Sequence, residues 1–329
     1  MHIYNHIRQA ILDLCRQAGP VAIMSHVNPD GDGLGSSLAL KTILSHLGLT
    51  ATIVVDQGDL SRYEFLSCRS NTLVFTQDQI YQTLIILDCN NESRLGNRNV
   101  LISKAKQVLI IDHHEYEDGI IPNVFNYIST SEVCVGTILY SVFKDDIHGF
   151  DLQSRKYVAD CLYTSIINDT NNFTNINTNQ DVLNIASELC QLGLNPAAIY
   201  TAFFSDHDPW KLKLIGEVIA TMELLCQNRI LIIHSTLDMI ERNFQPIEAL
   251  DNMTKWVQGL RGVDVILYLK ETGTEVFKVS LRSPTIDVNC FASAYGGGGH
   301  KTAAGMTMRG ALSQIRQHLI IELERILGC

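Results

Sequence analysis

His26, Asp30 and Asp32 stand in the order His-x3-Asp-x-Asp within the run from Met24 to Leu40. Two carboxylates so close in sequence repel one another, and one imidazole cannot neutralise both at pH 7, whereas one or two divalent cations can. Pro29, Gly31, Gly33 and Gly35 suit a tight loop that aims ligands inward through unusual backbone angles. A solvated Asp-Gly turn capping a helix is the plainer alternative. The choice turns on what lies downstream. Asp88 ends the apolar run from Thr83, and Asp112, His113 and His114 end the run from Gln107. Asp169 closes a helical pattern through Val158, Leu162 and Ile166, where the helix dipole disfavours a carboxylate unless a cation lies beside it.

His26, Asp30, Asp32, Asp88, His113 and Asp169 together offer four carboxylates and two imidazoles. That set suffices for two divalent cations sharing a carboxylate, about 3.5 to 4 Å apart. Mixed oxygen and nitrogen donors without a thiolate favour Mn²⁺ or Mg²⁺ over structural zinc. Such a pair clamps a phosphoryl group and lowers the pKa of a bound water. The chemistry indicated is hydrolysis of a phosphate ester.

The elements that must position these residues are legible in the hydrophobic pattern. Val21–Ile23, Thr52–Asp56, Thr83–Asp88 and Gln107–Asp112 are continuous apolar runs separated by helical spacing, the mark of parallel strands buried on both faces. A further strand is expected over Asn123–Ile128. Ligands gather at the carboxyl ends of such strands. The spacing is helical from Thr178 to about Cys226, and strands follow over Ile230–Ile233, Val263–Leu269 and Val276–Leu281. A glycine-rich segment, Gly296-Gly-Gly-Gly-His300, precedes a C-terminal amphipathic helix. The expected architecture is α/β: a parallel-sheet domain over 1–190, a helical connector over 191–226, and a smaller mixed α/β domain over 227–329.

The motif His26-x3-Asp-x-Asp32, the strand end at Asp88, the triplet Asp112-His113-His114 and Asp169-Thr170 resemble the metal-site motifs of the DHH phosphoesterase superfamily. Gly-Gly-Gly-Gly-His300 with Ala303-Ala-Gly305, and Ser280-Leu-Arg282-Ser283 upstream, resemble the signature of its DHHA1 domain. The likeness spans nearly the whole chain and is nearest to the nanoRNase and pAp-phosphatase branch, enzymes of very short oligonucleotides and 3'-phosphoadenosine 5'-phosphate. It implies that His26 and Asp30 hold one cation, Asp32, His113 and Asp169 the other, and that Asp88 bridges. It further implies that His114 contacts the scissile phosphate and that Asp112 orients the histidines. His300 and the amides around Gly297, Gly298 and Gly299 would grip the substrate, with Arg282 and Arg94 as further contacts. One departure stands out: relatives carry Gly-x-Phe-Arg after the last metal aspartate, and here Asn171 replaces the glycine and Thr174 the arginine.

Composition narrows the setting. The chain has 329 residues, nine cysteines and a formal charge of -10. The acidity lies before residue 229, and the remainder is close to balanced. Long duplex nucleic acid is therefore an unsuitable partner, while a short single-stranded RNA or a small nucleotide is compatible. Cysteines scattered singly, without a Cys-x-x-Cys pair, argue against a disulfide framework. No apolar run of about 18 residues suggests a membrane span, and the N-terminus reads as an amphipathic helix, so the expected setting is cytoplasmic. A homodimer is compatible with the sequence. The leading expectation is a phosphodiesterase that cuts short RNA and pAp. Cleavage of cyclic dinucleotides or of linear pApA and pGpG is the alternative enzyme, and a non-catalytic nucleotide-binding module is the alternative of another class.

Overall fold

The computed structural model describes residues 2–17, 19–58, 60–115, 121, 125–204, 208–251 and 253–329. The chain divides into two compact units, residues 1–206 and 207–329. The division falls within the segment whose sequence reads as a connector.

In the first unit the elements run α1 (His2–Arg16), β1 (Val21–Met24), α2 (Gly31–His46), β2 (Thr52–Val55), α3 (Cys68–Asn71), β3 (Thr72–Val74) and β4 (Thr83–Leu87). Then come α4 (Val100–Lys104), β5 (Gln107–Asp112), β6 (Phe125–Ile128), α5 (Val135–His148), α6 (Leu152–Asp169), α7 (Gln180–Gln191) and α8 (Pro196–Phe204). The six strands form one sheet in the order β3-β2-β1-β4-β5-β6, every neighbouring pair parallel. Alternate strand residues feed two cores: Ile23, Ile53, Ile85 and Leu109 on one face, Met24, Val54, Ile86 and Ile110 on the other. That two-sided burial is why the strands read as unbroken apolar runs. The strand order reverses between β1 and β4, and a crevice opens outside the carboxyl ends at such a point. His26 follows β1 and Asp88 follows β4, so the topology sets both beside it. The strand expected over Asn123–Ile128 is observed from Phe125, its first two residues lying outside the described residues.

The second unit runs α9 (Pro209–Ala220), β7 (Glu223–Leu225), β8 (Ile230–Ser235), α10 (Leu237–Arg242), β9 (Val265–Gly273), β10 (Val276–Arg282), α11 (Val288–Ser293), β11 (Gly298–His300), β12 (Ala303–Arg309) and α12 (Leu312–Leu327). Its sheet is mixed, ordered β11-β12-β10-β9-β8-β7, with β8 and β9 parallel and the other pairs antiparallel. Residues 223–225, helical by their spacing, are instead the edge strand β7. Cys226, Gln227 and Asn228 all take positive φ (52°, 55° and 70°), which folds β7 back onto β8. A disulfide joins Cys226 to Cys329, although the spacing of the cysteines argued against such links. The two cysteines stand 103 residues apart, beyond the reach of any short-range pattern. Among the described residues no helix is long and apolar enough to cross a membrane.

The glycines of the His26 segment have a different reason from the expected one. Asp32, Gly33 and Gly35 lie inside α2, and neither they nor Gly31 takes a positive φ; the left-handed residue of the loop is Asn28 (φ 50°). What the glycines supply is close approach. A Cβ on Gly35 would meet the Cys161 carbonyl oxygen of α6 at 2.6 Å, one on Gly33 the Ser25 Cβ at 2.9 Å, and one on Gly31 the Asn168 Cβ at 2.8 Å. Gly136 at the start of α5 would likewise meet the Ser165 hydroxyl at 2.2 Å. Replacing a glycine by alanine inside a helix ordinarily stabilises by about 1 kcal/mol. For Gly35→Ala the sign reverses, with an expected loss of about 1 to 3 kcal/mol from overpacking, read as a lower thermal midpoint. A midpoint at or above that of the parent would show that α2 and α6 do not meet there.

Candidate metal centre

Asp30 caps α2, its Oδ1 accepting from the N–H groups of Asp32 (2.9 Å) and Gly33 (3.2 Å). Asp32, in the first turn of α2 and fully buried, accepts from Ser36 (2.9 Å) and Ser165 (2.6 Å) hydroxyls and from the Val135 and Gly136 N–H groups at the start of α5 (2.9 and 3.2 Å). The N-terminus of α5 thus faces a carboxylate, as its dipole favours. Asp88 leaves β4 in the left-handed region (φ 57°), a conformation that costs about 1 to 2 kcal/mol in a residue with a Cβ. The strain turns its carboxylate into the centre. Its N–H still bonds to the Ile111 carbonyl (3.0 Å), so the turn is tied to β5.

The six expected ligands converge. His26 Nε2 lies 3.4 Å from Asp88 Oδ2 and 3.8 Å from Asp30 Oδ1. His113 Nε2 lies 3.5 Å from Asp88 Oδ1, 3.6 Å from Asp32 Oδ2 and 3.0 Å from Asp169 Oδ2. Two groups of donors result, one of His26, Asp30 and Asp88, the other of Asp32, His113 and Asp169. The two oxygens of Asp88 face one group each.

Three buried atoms in this cluster, Asp88 Oδ1, His113 Nε2 and Asp169 Oδ2, make no well-formed hydrogen bond and face chiefly one another, at 3.0 and 3.5 Å from the imidazole nitrogen. Buried polar atoms are rarely left so, and here all three are metal-ligating types aimed at one point. His26 adds a tautomer constraint. Its Nδ1 lies 2.8 Å from the Val27 carbonyl, which can only accept, so Nδ1 carries the proton and the neutral ring turns a bare Nε2 lone pair toward two carboxylates. Without a cation the cluster must take up protons instead. Burial alone lowers the His26 pKa, but Asp30 and Asp88 outweigh it and push it up to about 10. His113 is likewise lowered by burial yet raised to about 11 by Asp169, Asp88 and Asp32. Burial, then the charge of Asp88 and Asp169, raise the Asp32 carboxyl well above its ordinary range. Asp169 is raised by burial and by Asp88 despite its contact with His113. The donor set therefore fits divalent cations, which would hold the charge that protons otherwise neutralise.

His114 sits at the edge, its side chain 41% exposed against 2% for Asp88. Its Nδ1 lies 2.9 Å from Asp112 Oδ1, which also accepts from the His113 and His114 N–H groups (2.7 and 3.2 Å). Burial disfavours the Asp112 carboxylate, yet those bonds and the His114 charge hold its pKa below the usual range. In turn Asp112 raises the His114 pKa against the opposing effect of burial.

Sequence reasoning missed several positioning residues. Asn168 donates to Asp30 Oδ2 (3.0 Å) and Asp169 Oδ1 (2.8 Å) and accepts from the Gly31 N–H (3.2 Å), linking the end of α6 to the start of α2. Its place beside Asp169 was the only signal available. Arg98, 1% exposed, donates to the carbonyls of Val54 (2.8 Å) and Ser25 (2.9 Å) and pairs with Asp56 (2.8 Å), clasping the ends of β1 and β2 next to His26. Arg94, an expected substrate contact, also braces the loop through its main chain, its carbonyl accepting from the Val27 N–H at 2.7 Å.

The remaining expected residues lie in the second unit. Gly298, Gly299 and His300 are exposed and form β11, the edge strand of the sheet, paired with β12. The Gly297 N–H donates to the Ala292 carbonyl (3.0 Å), so that amide is engaged within the protein. Close approach again explains two glycines: a Cβ on Gly297 would meet the Gly305 oxygen at 2.3 Å, and Gly299 takes φ 149°. Arg282 lines a cavity of about 470 Å³ with Leu260, Ile266, Ser283 and Thr302.

The chain is similar to known proteins along most of its length. Residues 20–166 match the DHH family, N-terminal domain, and residues 246–325 the DHHA1 domain. The bifunctional oligoribonuclease and PAP phosphatase NrnA of Thermus thermophilus is 29% identical over 303 residues, 89% of this chain and 85% of that protein. Its namesake from Bacillus subtilis is 23% identical over 294 residues, 88% of this chain and 89% of that protein. The fold is shared with the crystal structure of an exopolyphosphatase-related protein from Bacteroides fragilis, with a TM-score of 0.81, 22% identity, and coverage of 99% of this chain and 96% of the other.

Two measurements follow from the charge balance. At pH 7.5 both His26 and His113 are protonated in the cation-free cluster, whereas a ligating imidazole is neutral, so cation binding releases protons. Titration with Mn²⁺ between pH 7 and 9 is expected to show affinity rising at least about tenfold per pH unit; affinity flat across that range would mean that these imidazoles do not ligate. Asn168→Ala is expected to weaken Mn²⁺ binding about ten- to a hundredfold while leaving the fold intact by circular dichroism.

Proposed function

The chain belongs to the DHH phosphoesterase superfamily with a following DHHA1 domain, and from that premise we propose that it hydrolyses very short oligoribonucleotides to mononucleotides and removes a phosphate from pAp. The observation that carries the reading is the convergence of three buried ligand atoms that make no well-formed hydrogen bond, Asp88 Oδ1, His113 Nε2 and Asp169 Oδ2, beside the partly exposed His114.

His26, Asp30 and Asp88 would hold one cation, and Asp32, His113, Asp169 and Asp88 the other. Mn²⁺ suits the oxygen and nitrogen donors, with Mg²⁺ as the alternative. Bound there, the cations supply Lewis-acid charge at the phosphoryl oxygens and a water of lowered pKa. The chain's own residues do the rest. Asp112 fixes the His114 ring with its Nδ1 proton inward and leaves Nε2 for the substrate. Asp112 favours the protonated form of the His114 ring, and in that form it can neutralise charge on the phosphate and give a proton to the leaving oxygen. Asn168 and the hydroxyls of Ser36 and Ser165 hold Asp30, Asp32 and Asp169 in place, so no reorganisation is needed at the moment of reaction. Gly298, Gly299, His300 and Arg282 are the proposed substrate contacts of the DHHA1 domain, where an exposed edge strand offers backbone groups and Arg282 a planar cation.

Purified protein, stripped by chelator and restored with Mn²⁺, is expected to convert pApA and a five-nucleotide RNA to mononucleotides and pAp to AMP, followed by chromatography. His114→Ala is expected to lower kcat about 10²- to 10⁴-fold with the cations still bound, as general acid–base groups do. Asp88→Ala is expected to lose both activity and cations. Full activity in either variant would remove its residue from the mechanism, and silence of the parent on all three substrates would sink the proposal.

A further inference from the structure

The loop that carries His26 and Asp30 has a second side. Asn28 and Pro29, between those two ligands, form one wall of a cavity of about 220 Å³ whose other walls come from Asp56 and from the segment after β2 that includes Leu60, Arg62 and Tyr63. All of these residues belong to the first unit. Pro29, Leu60 and Tyr63 are buried and give the cavity apolar walls, while Arg62 is exposed at its rim. The volume falls below the range of about 300 to 1,000 Å³ usual for a whole small ligand, so the space takes one group of a larger molecule.

The charges decide which group. Arg62 is held in place: its guanidinium carbon sits 4.3 Å from the centre of the Phe203 ring, and its Nε donates to the Phe203 carbonyl at 3.4 Å. A guanidinium immobilised through Nε and one face still has its two terminal nitrogens, the geometry that recognises phosphate oxygens in a fork. Among the described residues of the wall the carboxylate is Asp56, already paired with the buried Arg98 at 2.8 Å. Its repulsion of an anion is therefore offset, and Arg62 is the cation that the described wall presents. Burial pushes the Tyr63 hydroxyl up to about 12 against the charge of Arg62, with Asp30 adding to the rise, so the cavity and the ligand loop share one electrostatic neighbourhood.

We propose that this cavity is a second phosphate subsite, in which Arg62 receives the terminal phosphate monoester of a nucleotide whose other phosphate lies at the cluster of His26, Asp30 and Asp88. The inference deepens the proposed function and rests on it for the position of the first phosphate. It makes a terminal phosphate, not a base, the feature recognised on this side of the centre. Sequence alone does not single out Arg62, because its role depends on Phe203 from the other end of the unit.

The test is equilibrium binding, with turnover followed separately. Affinities of pAp and of AMP are measured by calorimetry on full-length protein loaded with Ca²⁺, for the parent, Arg62→Ala and Arg62→Lys. The parent is expected to bind pAp about ten- to a hundredfold more tightly than AMP, the range for a charge-assisted bond to phosphate. Arg62→Ala is expected to bring that ratio to within about twofold and Arg62→Lys to restore part of it. A rise in melting temperature on adding Mn²⁺ certifies that each variant is folded. Equal affinities in the parent, or a preference that survives Arg62→Ala, would overturn the subsite. A clear preference in a protein that hydrolyses none of the three substrates leaves the subsite standing and rejects the activity; hydrolysis without the preference does the reverse.

Discussion

Everything at the carboxyl edge of the first sheet depends on keeping four carboxylates together, three of which, Asp32, Asp88 and Asp169, are largely shielded from water. At the spacings seen, unscreened like charges repel by several kcal/mol. A folded chain can hold them only by supplying donors, protons or cations. Donors meet part of the need: Asp30 and Asp32 each accept bonds from backbone and side-chain groups around them. For Asp88 and Asp169 the donors run out, each keeping one buried oxygen that makes no well-formed hydrogen bond and shares the single nitrogen of His113. The remaining charge must come from outside the chain, and that requirement turns a structural liability into a chemical tool.

The rest of the first unit keeps this arrangement from relaxing. Ligands arise from the ends of β1, β4 and β5, from the start of α2 and from the end of α6, so any rotation of one element would open the cluster. Gly35 and Gly136 let α2, α5 and α6 approach at backbone contact, and Asn168 and Ser165 bond across the seams this creates. Arg98 fastens β1 to β2 just before His26. Such fixing has an energetic cost, visible in the left-handed backbone of Asp88 and Asn28. The two apolar faces of the sheet, with strand residues almost wholly buried, supply the stability that offsets it.

How much of this could be read beforehand follows from the range of each signal. Buried parallel strands and the acidic residues at their ends are local patterns, and they were legible; so was the set of side chains that converges. The reason for Gly31, Gly33 and Gly35 was not. A glycine needed for φ and one needed for close packing look the same until the partner helix is in place. The turn at Cys226–Asn228 and the disulfide to Cys329 escaped for the same reason, since each is decided by a pairing distant from its own neighbours. Asn168 and Arg98 are the sharper lesson. Asparagine near an aspartate and arginine near a strand carry no pattern of their own, yet both act on main-chain and side-chain groups far away in sequence.

The departure at the end of α6 can be reasoned through in the same terms. Asn171, in the place of a glycine, has φ 46°, and Asn172 and Phe173 follow at 56° and 62°. Asparagine is among the few residues that tolerate this region, so the replacement preserves the turn. Thr174, in the place of an arginine, turns its hydroxyl inward to the Asn171 carbonyl (2.6 Å) and accepts from the Asn171 amide (2.8 Å). Asn175 and Asn177 then both donate to the main-chain carbonyl of Asp169 (3.0 and 3.2 Å). The turn is thus rebuilt from neutral groups, and it still presents Asp169 to His113 at 3.0 Å. What is lost is a positive charge beside the centre and not the shape of the centre. Any altered preference among phosphorylated substrates is then a matter of the cations that remain on this unit, Arg62 on the other side of the ligand loop among them.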